Sequence, residues 1–222
     1  MNLAIIQQKE ISEEIKMNKP TINEMFEKLF NGSDIVKSFD AIMENSQAFD
    51  RQVYIGEITE ETGDAIDSAI RFWNYVDDQH DVPKEERKPI KIYINSPGGS
   101  LTGTFTCINT IEMSKTPVYT IATGTAYSGG FFIFIAGHKR FAYPLSSFLY
   151  HEGSVGSGGT AGQFANFATF YKKQLSQLKD VVLKYTKIGE EKYKEIQKDD
   201  FWMTAEEAIE LGVADEITKE LI

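Results

Sequence analysis

The chain has 222 residues, a length that suits one domain with an appendage and allows a sizeable hydrophobic core. Its hydrophobic and charged fractions of 41% and 25% argue against global disorder. The formal net charge of −10 argues against a nucleic-acid-binding protein, because such proteins present basic surfaces to phosphates. The single cysteine, Cys107, excludes an internal disulfide and a cysteine-built metal site. We expect neither a metal nor another cofactor.

Residues 1–50 differ in composition from the rest of the chain. Acidic residues outnumber lysines there, and apolar residues recur at helical spacing between Ile22 and Phe30. This pattern predicts a helical N-terminal extension over residues 1–50, separate from a domain over residues 51–222. The chain turns polar at Gln7, and no apolar run approaches the length of a membrane span. We therefore expect a cytoplasmic protein that is not attached to a membrane.

Strand and helix signals alternate from Gln52 onward, which predicts an α/β fold with a largely parallel sheet. The predicted strands are residues 53–56, 90–95, 118–123, 139–143 and 147–150, the last two forming a pair. The predicted helices are residues 59–76, 101–114, 129–137, 163–185, 189–196 and 205–211. Thr59 is the expected N-cap of the first helix, and a charged loop is expected over residues 77–88.

Ser128 lies among small residues where the third predicted strand is expected to end, at Gly124, ahead of an apolar helix. A serine on such a strand-to-helix turn has its Oγ held above a helix N-terminus, where backbone N–H groups can stabilise an anion. Glycine and serine are also typical of ordinary turns, so this string by itself favours a structural turn over catalysis.

Serine catalysis needs a general base, and the chain has three histidines. His80 lies in an acidic loop, and His138 lies in a predicted exposed turn. His151 ends an apolar strand, where the catalytic groups of α/β sheets collect, so elimination favours it. The turn at Gly98 and Gly99 offers backbone amides for an oxyanion hole, or is a simple tight turn. Residue types alone do not select the orienting acid among 33 carboxylates.

Four ordered stretches resemble the proteolytic subunit of the Clp protease (ClpP), an ATP-dependent serine peptidase. They are Tyr93–Ser100, Gly124–Gly130, Leu149–Glu152, and Asp200–Ala208 followed by Gly212–Asp215. The resemblance covers about residues 51–217. It implies the ClpP/crotonase-like α/β fold, with a largely parallel core of repeated β-β-α units and a protruding strand-helix handle. The chain departs from the family at Gly129, where methionine is common, and residues 1–50 do not align with the family's short pore-lining segment.

The resemblance also implies the roles of individual residues. Ser128 would be the nucleophile, His151 the general base, and Asp200 the orienting acid, with Asp199 as its rival. The amides of Gly99 and Gly129 would form the oxyanion hole. A glycine-rich handle strand would bind extended peptides through main-chain hydrogen bonds, unless this segment is a surface loop. The substrate-binding positions implied there are Gly153, Gly156, Gly158 and Gly159.

These implications predict a serine endopeptidase that cleaves peptides or unfolded proteins through an acyl-enzyme. It would work inside a chamber of stacked heptameric rings of the same chain, fed by an AAA+ unfoldase, with the helix that carries Phe164 joining the rings. The alternative is a weakly active or regulatory ClpP-like subunit that assembles with a catalytic paralogue. A crotonase-type enzyme acting on acyl-CoA thioesters is a third interpretation, disfavoured because no basic signature for the CoA phosphates is present.

Overall fold

The computed structural model describes residues 51–153, 156 and 158–222, so the helical extension predicted over residues 1–50 lies outside the described residues. The strands of the described part are β1 (Gln52–Ile55), β2 (Ile90–Ser96), β3 (Val118–Tyr127), β4 (Lys139–Ala142), β5 (Ser147–Tyr150), β6 (Phe201–Thr204) and β7 (Glu216–Ile217). The α-helices are α1 (Glu60–Gln79), α2 (Leu101–Met113), α3 (Gly129–Ile135), α4 (Ala161–Tyr185), α5 (Glu190–Ile196) and α6 (Ala205–Glu210).

One mixed sheet organises these elements. Strands β1, β2, β3, β4 and β7 are neighbours in that order, and each adjoining pair is parallel. Strand β5 also pairs in parallel with β3, and β6 joins β5 in the antiparallel direction. The predicted α/β fold with a largely parallel sheet is therefore confirmed. The glycine-rich handle strand was predicted within residues 153–162. No strand is formed at the described residues of this segment, and Ala161 and Gly162 belong to α4.

Strand β3 is longer than predicted and serves two partners in succession. Its first half pairs with β4 between Tyr119 and Ala122, and its second half pairs with β5 between Thr125 and Tyr127. The prediction that β3 ends at Gly124 is wrong, because the pairing with β5 extends the strand. The predicted pairing of β4 with β5 is also wrong, since each of them pairs with β3. As a result, the C-terminal ends of β3 and β5 lie side by side.

The core lies between the sheet and the helices packed on it. Helix α1 begins after Thr59, which forms the predicted N-cap and a capping box with Thr62. A Cβ atom on Gly63 of α1 would lie only 2.8 Å from the Gly103 Cα of α2. The two helices therefore approach backbone to backbone, which fixes the start of α2 against α1.

Helix α1 runs beyond its predicted end at Val76 because the charge of Asp77 is neutralised where it is buried. Arg51 donates hydrogen bonds to both carboxylate oxygens of Asp77, at 2.6 and 2.8 Å, and Thr116 donates another at 2.7 Å. Burial by itself raises the pKa of Asp77, but these hydrogen bonds and the charges of Arg51 and Arg87 outweigh it and lower the pKa below 3.8. The charged loop expected over residues 77–88 is thus helical in its first residues, and Asp77 forms an ion pair with Arg51.

Helix α4 has 25 residues, yet its buried residues are confined to Leu178 and Val182 in its C-terminal half. Its N-terminal half carries Phe164 and Phe170, which are 54% and 57% exposed. In the part of the chain that the structure describes, no helix has the length and apolar character needed to cross a bilayer.

Candidate active site

Ser128 occupies the single residue between the end of β3 and the start of α3. Its φ of 53° and ψ of −120° are unusual for a residue with a Cβ and cost about 1–3 kcal/mol. The backbone is held on both sides, because Ser128 N donates to Leu149 O at 2.9 Å and Ser128 O accepts from Phe131 N at 3.0 Å. The side chain forms no capping hydrogen bond with α3. The fold thus maintains a strained turn at which the Ser128 hydroxyl has no hydrogen-bond partner among the described residues.

The glycine turn after β2 packs directly against this serine. A Cβ atom on Gly98 would lie 2.6 Å from Ser128 Cβ and 3.1 Å from its Oγ. Gly98 and Gly99 also have φ values of 103° and 146°, which side-chain-bearing residues rarely adopt. A Cβ on Gly99 would overlap Ile58 O. Both glycines are therefore needed for the approach of the turn to Ser128.

The amides of Gly99 and Gly129 lie close together beside Ser128. A Cβ atom on Gly129 would be 3.7 Å from Gly99 N. Within the described residues, neither Gly99 N nor Gly129 N donates a hydrogen bond to a protein acceptor. Two free N–H groups at such a position can stabilise a developing oxyanion.

His151 follows β5 and reaches the same cavity as Ser128, because β5 and β3 pair up to Leu149 and Tyr127. Its side chain is 29% exposed. The Nε2 atom is buried and has no hydrogen-bond partner among the described residues. In this structure the Ser128 hydroxyl and the imidazole therefore line one cavity without a hydrogen bond between them.

Asp200 is brought to His151 by the antiparallel pairing of β5 with β6. Tyr150 pairs with Phe201, so the two flanking residues, His151 and Asp200, project from the same end of the ladder. The distance from His151 Nδ1 to Asp200 Oδ1 is 3.7 Å, within ion-pair range but longer than a hydrogen bond. Asp200 is 57% exposed. The geometry thus gives this carboxylate, and not Asp199, an ion-pair contact with the imidazole among the described residues.

The other two histidines do not line the cavity in the described part of the chain. His138 Nδ1 accepts a hydrogen bond from Val118 N at 2.9 Å, which fixes the start of β3. Burial, together with the charge of Lys84, lowers the pKa of His138. His80 is an exposed residue at the C-terminal end of α1. Neither His138 nor His80 is therefore placed to act on a substrate in this cavity.

The cavity measures about 240 Å³ and is walled by α2, α3 and α4. Its lining includes Ser128, His151 and residues that present mixed apolar and polar surface: Leu101, Thr102, Thr104, Gly129, Phe132, Glu152, Gly153, Phe167, Tyr171, Gln174 and Leu178. The contribution of α4 to this cavity was not predicted. The sequence feature that indicates it is the spacing of Phe167, Tyr171, Gln174 and Leu178, which places these four side chains on one helix face.

Tyr171 connects α4 to the segment that follows His151. Its hydroxyl donates to Glu152 O at 3.1 Å. Burial raises the pKa of Tyr171, and the nearby negative charge of Glu152 raises it further. Of the four predicted substrate-binding glycines, Gly153 lines the cavity. It has a φ of 77°, a backbone conformation that favours glycine.

Comparison with known proteins gives this geometry a family context. A family model described as Clp protease matches residues 80–220, a range that contains Ser128, His151 and Asp200. The chain belongs to the Clp protease family. A relative from Cutibacterium acnes, ATP-dependent Clp protease proteolytic subunit 2, is 33% identical over 170 residues, which cover 75% of this chain and 76% of the relative. The protein is therefore a serine-type peptidase of the Clp class, and the resemblance inferred from its motifs is confirmed.

Proposed function

We propose that the protein is an endopeptidase that hydrolyses peptide bonds of peptides or unfolded proteins, with Ser128 as nucleophile. The observation that carries this proposal is the strained Ser128 turn. Its hydroxyl lines one cavity with His151 and lies beside two amides, and none of these three groups has a hydrogen-bond partner in the part of the chain that the structure describes. Ser128 Oγ attacks the carbonyl carbon of the substrate while His151 Nε2 takes its proton. The amides of Gly99 and Gly129 stabilise the negative charge that develops on the carbonyl oxygen.

The second half of the reaction reverses the role of the histidine. Protonated His151 donates its proton to the leaving amine, which leaves an acyl group on Ser128. A water molecule, activated by His151, then hydrolyses this acyl-enzyme. Asp200 would orient the imidazole through Nδ1 and stabilise its protonated form, for which the observed 3.7 Å separation must shorten to about 3 Å.

We further propose that the active species is a chamber of stacked heptameric rings fed by an AAA+ unfoldase. The exposed Phe164 and Phe170 on α4 support an interface on this helix, since burying them against another subunit would remove apolar surface from water. The name of the Cutibacterium acnes relative describes an ATP-dependent protease, which supports the same partnership here. In this chamber, Gly153, Gly156, Gly158 and Gly159 would line the path of the peptide.

The decisive experiment combines size-exclusion chromatography with active-site labelling. Each fraction of the full-length protein is treated with a fluorophosphonate probe and assayed with a fluorogenic peptide, with Ser128→Ala as the control. We expect labelling and peptidase activity to coincide in a high-mass species and to disappear in the variant. Activity of a monomer would contradict the chamber, and an assembled protein that never labels would contradict Ser128 as nucleophile.

His151 Nε2 has no hydrogen-bond partner within residues 51–153, 156 and 158–222, which favours one alternative, a weakly active subunit that needs a catalytic paralogue. This alternative predicts that the purified assembly neither labels nor cleaves by itself. Mixing it with a catalytic Clp subunit would then change the activity of that subunit, and Ser128→Ala would leave the activity of the mixture unaltered.

A further inference from the structure

Thr104 lies in the first turn of α2, and it is only 1% exposed although its side chain is polar. Its Oγ1 donates a hydrogen bond to Ser100 O at 2.8 Å, and its backbone N–H donates to the same carbonyl at 3.0 Å. Ser100 directly follows Gly99, one of the two proposed oxyanion donors. The Thr104 hydroxyl thus secures the residue next to that donor.

The same hydroxyl contacts the second proposed donor. A Cβ atom on Gly129 would overlap Thr104 Oγ1, so the hydroxyl fills the space that a side chain at position 129 would occupy. That Cβ would also be 3.1 Å from Ile58 Cδ1 and 3.7 Å from Gly99 N. Thr104 therefore lies against Gly129 and is hydrogen-bonded to the residue that follows Gly99, and it also lines the cavity with Ser128.

The start of α2 is anchored on its other side as well. Ser100 N donates to Ile58 O at 2.6 Å, and a Cβ on Gly103 would overlap Thr59 O. These contacts hold the turn that carries Gly99 against the β1–α1 connection. Thr104 then links this fixed turn to the first residue of α3. A hydroxyl with a defined hydrogen bond can set the separation of two backbone segments more closely than a flexible side chain can.

We propose that Thr104 is the positioning residue that sets the separation of the Gly99 and Gly129 amides. Oxyanion donors act only when they are fixed near 2.7–3.1 Å from the developing charge, so a displacement well below 1 Å is costly. Gly129 has no side chain with which to hold its own amide in place. Thr104 supplies that support from the neighbouring helix. The inference rests on the proposed function, because it concerns the same oxyanion hole.

The test compares isosteric variants of two threonines on α2. Thr104→Val removes the hydroxyl and keeps the shape, whereas Thr104→Ser keeps the hydroxyl. Thr106→Val is the matched control, because Thr106 Oγ1 donates to Thr102 O at 3.1 Å and Thr106 does not line the described cavity. Removing an oxyanion donor costs about 100- to 1000-fold in kcat, so displacing one should cost about tenfold in Thr104→Val, with KM within about twofold.

A transition-state analogue provides a readout that a purely structural role would not change. The affinity of a peptide boronic acid should fall with Thr104→Val by a factor similar to that in kcat, because the tetrahedral adduct places an oxygen in the hole. Thr104→Ser should retain kcat to within about threefold, and Thr106→Val should match the wild type. A Thr104→Val enzyme with wild-type kcat, or equal losses in Thr104→Val and Thr106→Val, would overturn the inference.

A second pair of variants keeps the inference testable if Thr104→Val does not fold. Gly129→Ala should lose activity because its Cβ overlaps the Thr104 hydroxyl, and the double variant Thr104→Ala, Gly129→Ala should recover part of it. A double variant no better than Gly129→Ala would contradict the proposed contact. An assembled wild-type protein that neither labels nor cleaves would instead refute the proposed function, and the inference with it. An active wild type without these variant effects refutes the inference alone.

Discussion

The orienting role of Asp200 can be tested by Asp200→Asn, with Asp199→Asn as a control that changes the adjacent residue by the same atoms. At the observed 3.7 Å, the attraction between the carboxylate and a protonated imidazole is about 1 kcal/mol at the dielectric constant of water and about 4.5 kcal/mol at an effective value of 20. Because Asp200 is 57% exposed, the lower end of this range applies. The separated pair would therefore contribute only about tenfold to kcat.

The proposed function requires a closer pair than the one observed. A triad aspartate that holds the imidazole through a direct hydrogen bond contributes up to about 10,000-fold to kcat. We therefore expect Asp200→Asn to lower kcat by at least about 100-fold in the active assembly, while Asp199→Asn stays within about twofold. The assay is steady-state hydrolysis of a fluorogenic peptide by the high-mass fraction, with labelling of Ser128 as a check on integrity.

The two variants also define the results that would refute this reasoning. A tenfold loss in Asp200→Asn would show that the pair acts only across the observed distance, so the shortening to about 3 Å that the proposed function requires would be wrong. Equal losses in the two variants would leave no reason to assign the orienting role to Asp200 over Asp199. A loss confined to Asp199→Asn would assign that role to Asp199.

Three other predictions concern stability, thiol reactivity and the link from α4. Because the folded-state pKa of Asp77 is lowered, its pair with Arg51 stabilises the fold at pH values above its ordinary pKa of 3.8 and loses this effect as pH falls through the lowered pKa. Asp77→Asn should therefore lower the free energy of unfolding by about 3 kcal/mol at pH 7 and by less in acid. Urea titrations at both pH values measure this difference, and a loss that does not depend on pH would contradict the prediction. Burial raises the pKa of the Cys107 thiol to about 12, so iodoacetamide at pH 8 should alkylate it in urea and not in the native protein; equal rates would contradict burial. Tyr171→Phe removes the hydrogen bond to Glu152 O, worth about 1 kcal/mol, and should therefore lower kcat about fivefold in the peptide assay. An unchanged kcat would exclude coupling of α4 to His151.

Much of the fold could be predicted because its signals are local. Apolar strands, helical periodicity and caps such as Thr59 depend on short windows of sequence. These windows predicted the strands as far as β5, the α-helices and a largely parallel sheet, but not β6, β7 or the order of the strands. The ends that were wrong depend on residues far along the chain. Helix α1 continues past Val76 because Arg51 neutralises Asp77, and β3 continues past Gly124 because β5 pairs with it. Neither partner is visible in the window that contains the boundary.

The candidate site shows the same division between local and distant information. The turn at Ser128 and the strand end at His151 have local signatures, whereas selecting an acid required the family motifs. The face of α4 has a sequence periodicity, but its position at the cavity could not be predicted from it, and neither could the burial of the Thr104 hydroxyl. Both depend on the packing of helices against α3. Strand pairing explains why His151 and Asp200 meet, since β6 enters beside β5 from a later part of the chain.

The structure changes the interpretation of Gly129, the residue after the nucleophile. A glycine in place of methionine at position 129 implies a loosely held amide, because no side chain fixes it. In the structure, the space that a side chain would need is filled by Thr104 Oγ1 and approached by Ile58 Cδ1. On the opposite side of the turn, Gly98 packs against Ser128 so closely that a Cβ would be 2.6 Å from the serine Cβ. The turn is thus supported from both sides. The proposed catalysis therefore depends on changes at His151, whose Nε2 has no hydrogen-bond partner among the described residues and whose Nδ1 lies 3.7 Å from Asp200 Oδ1.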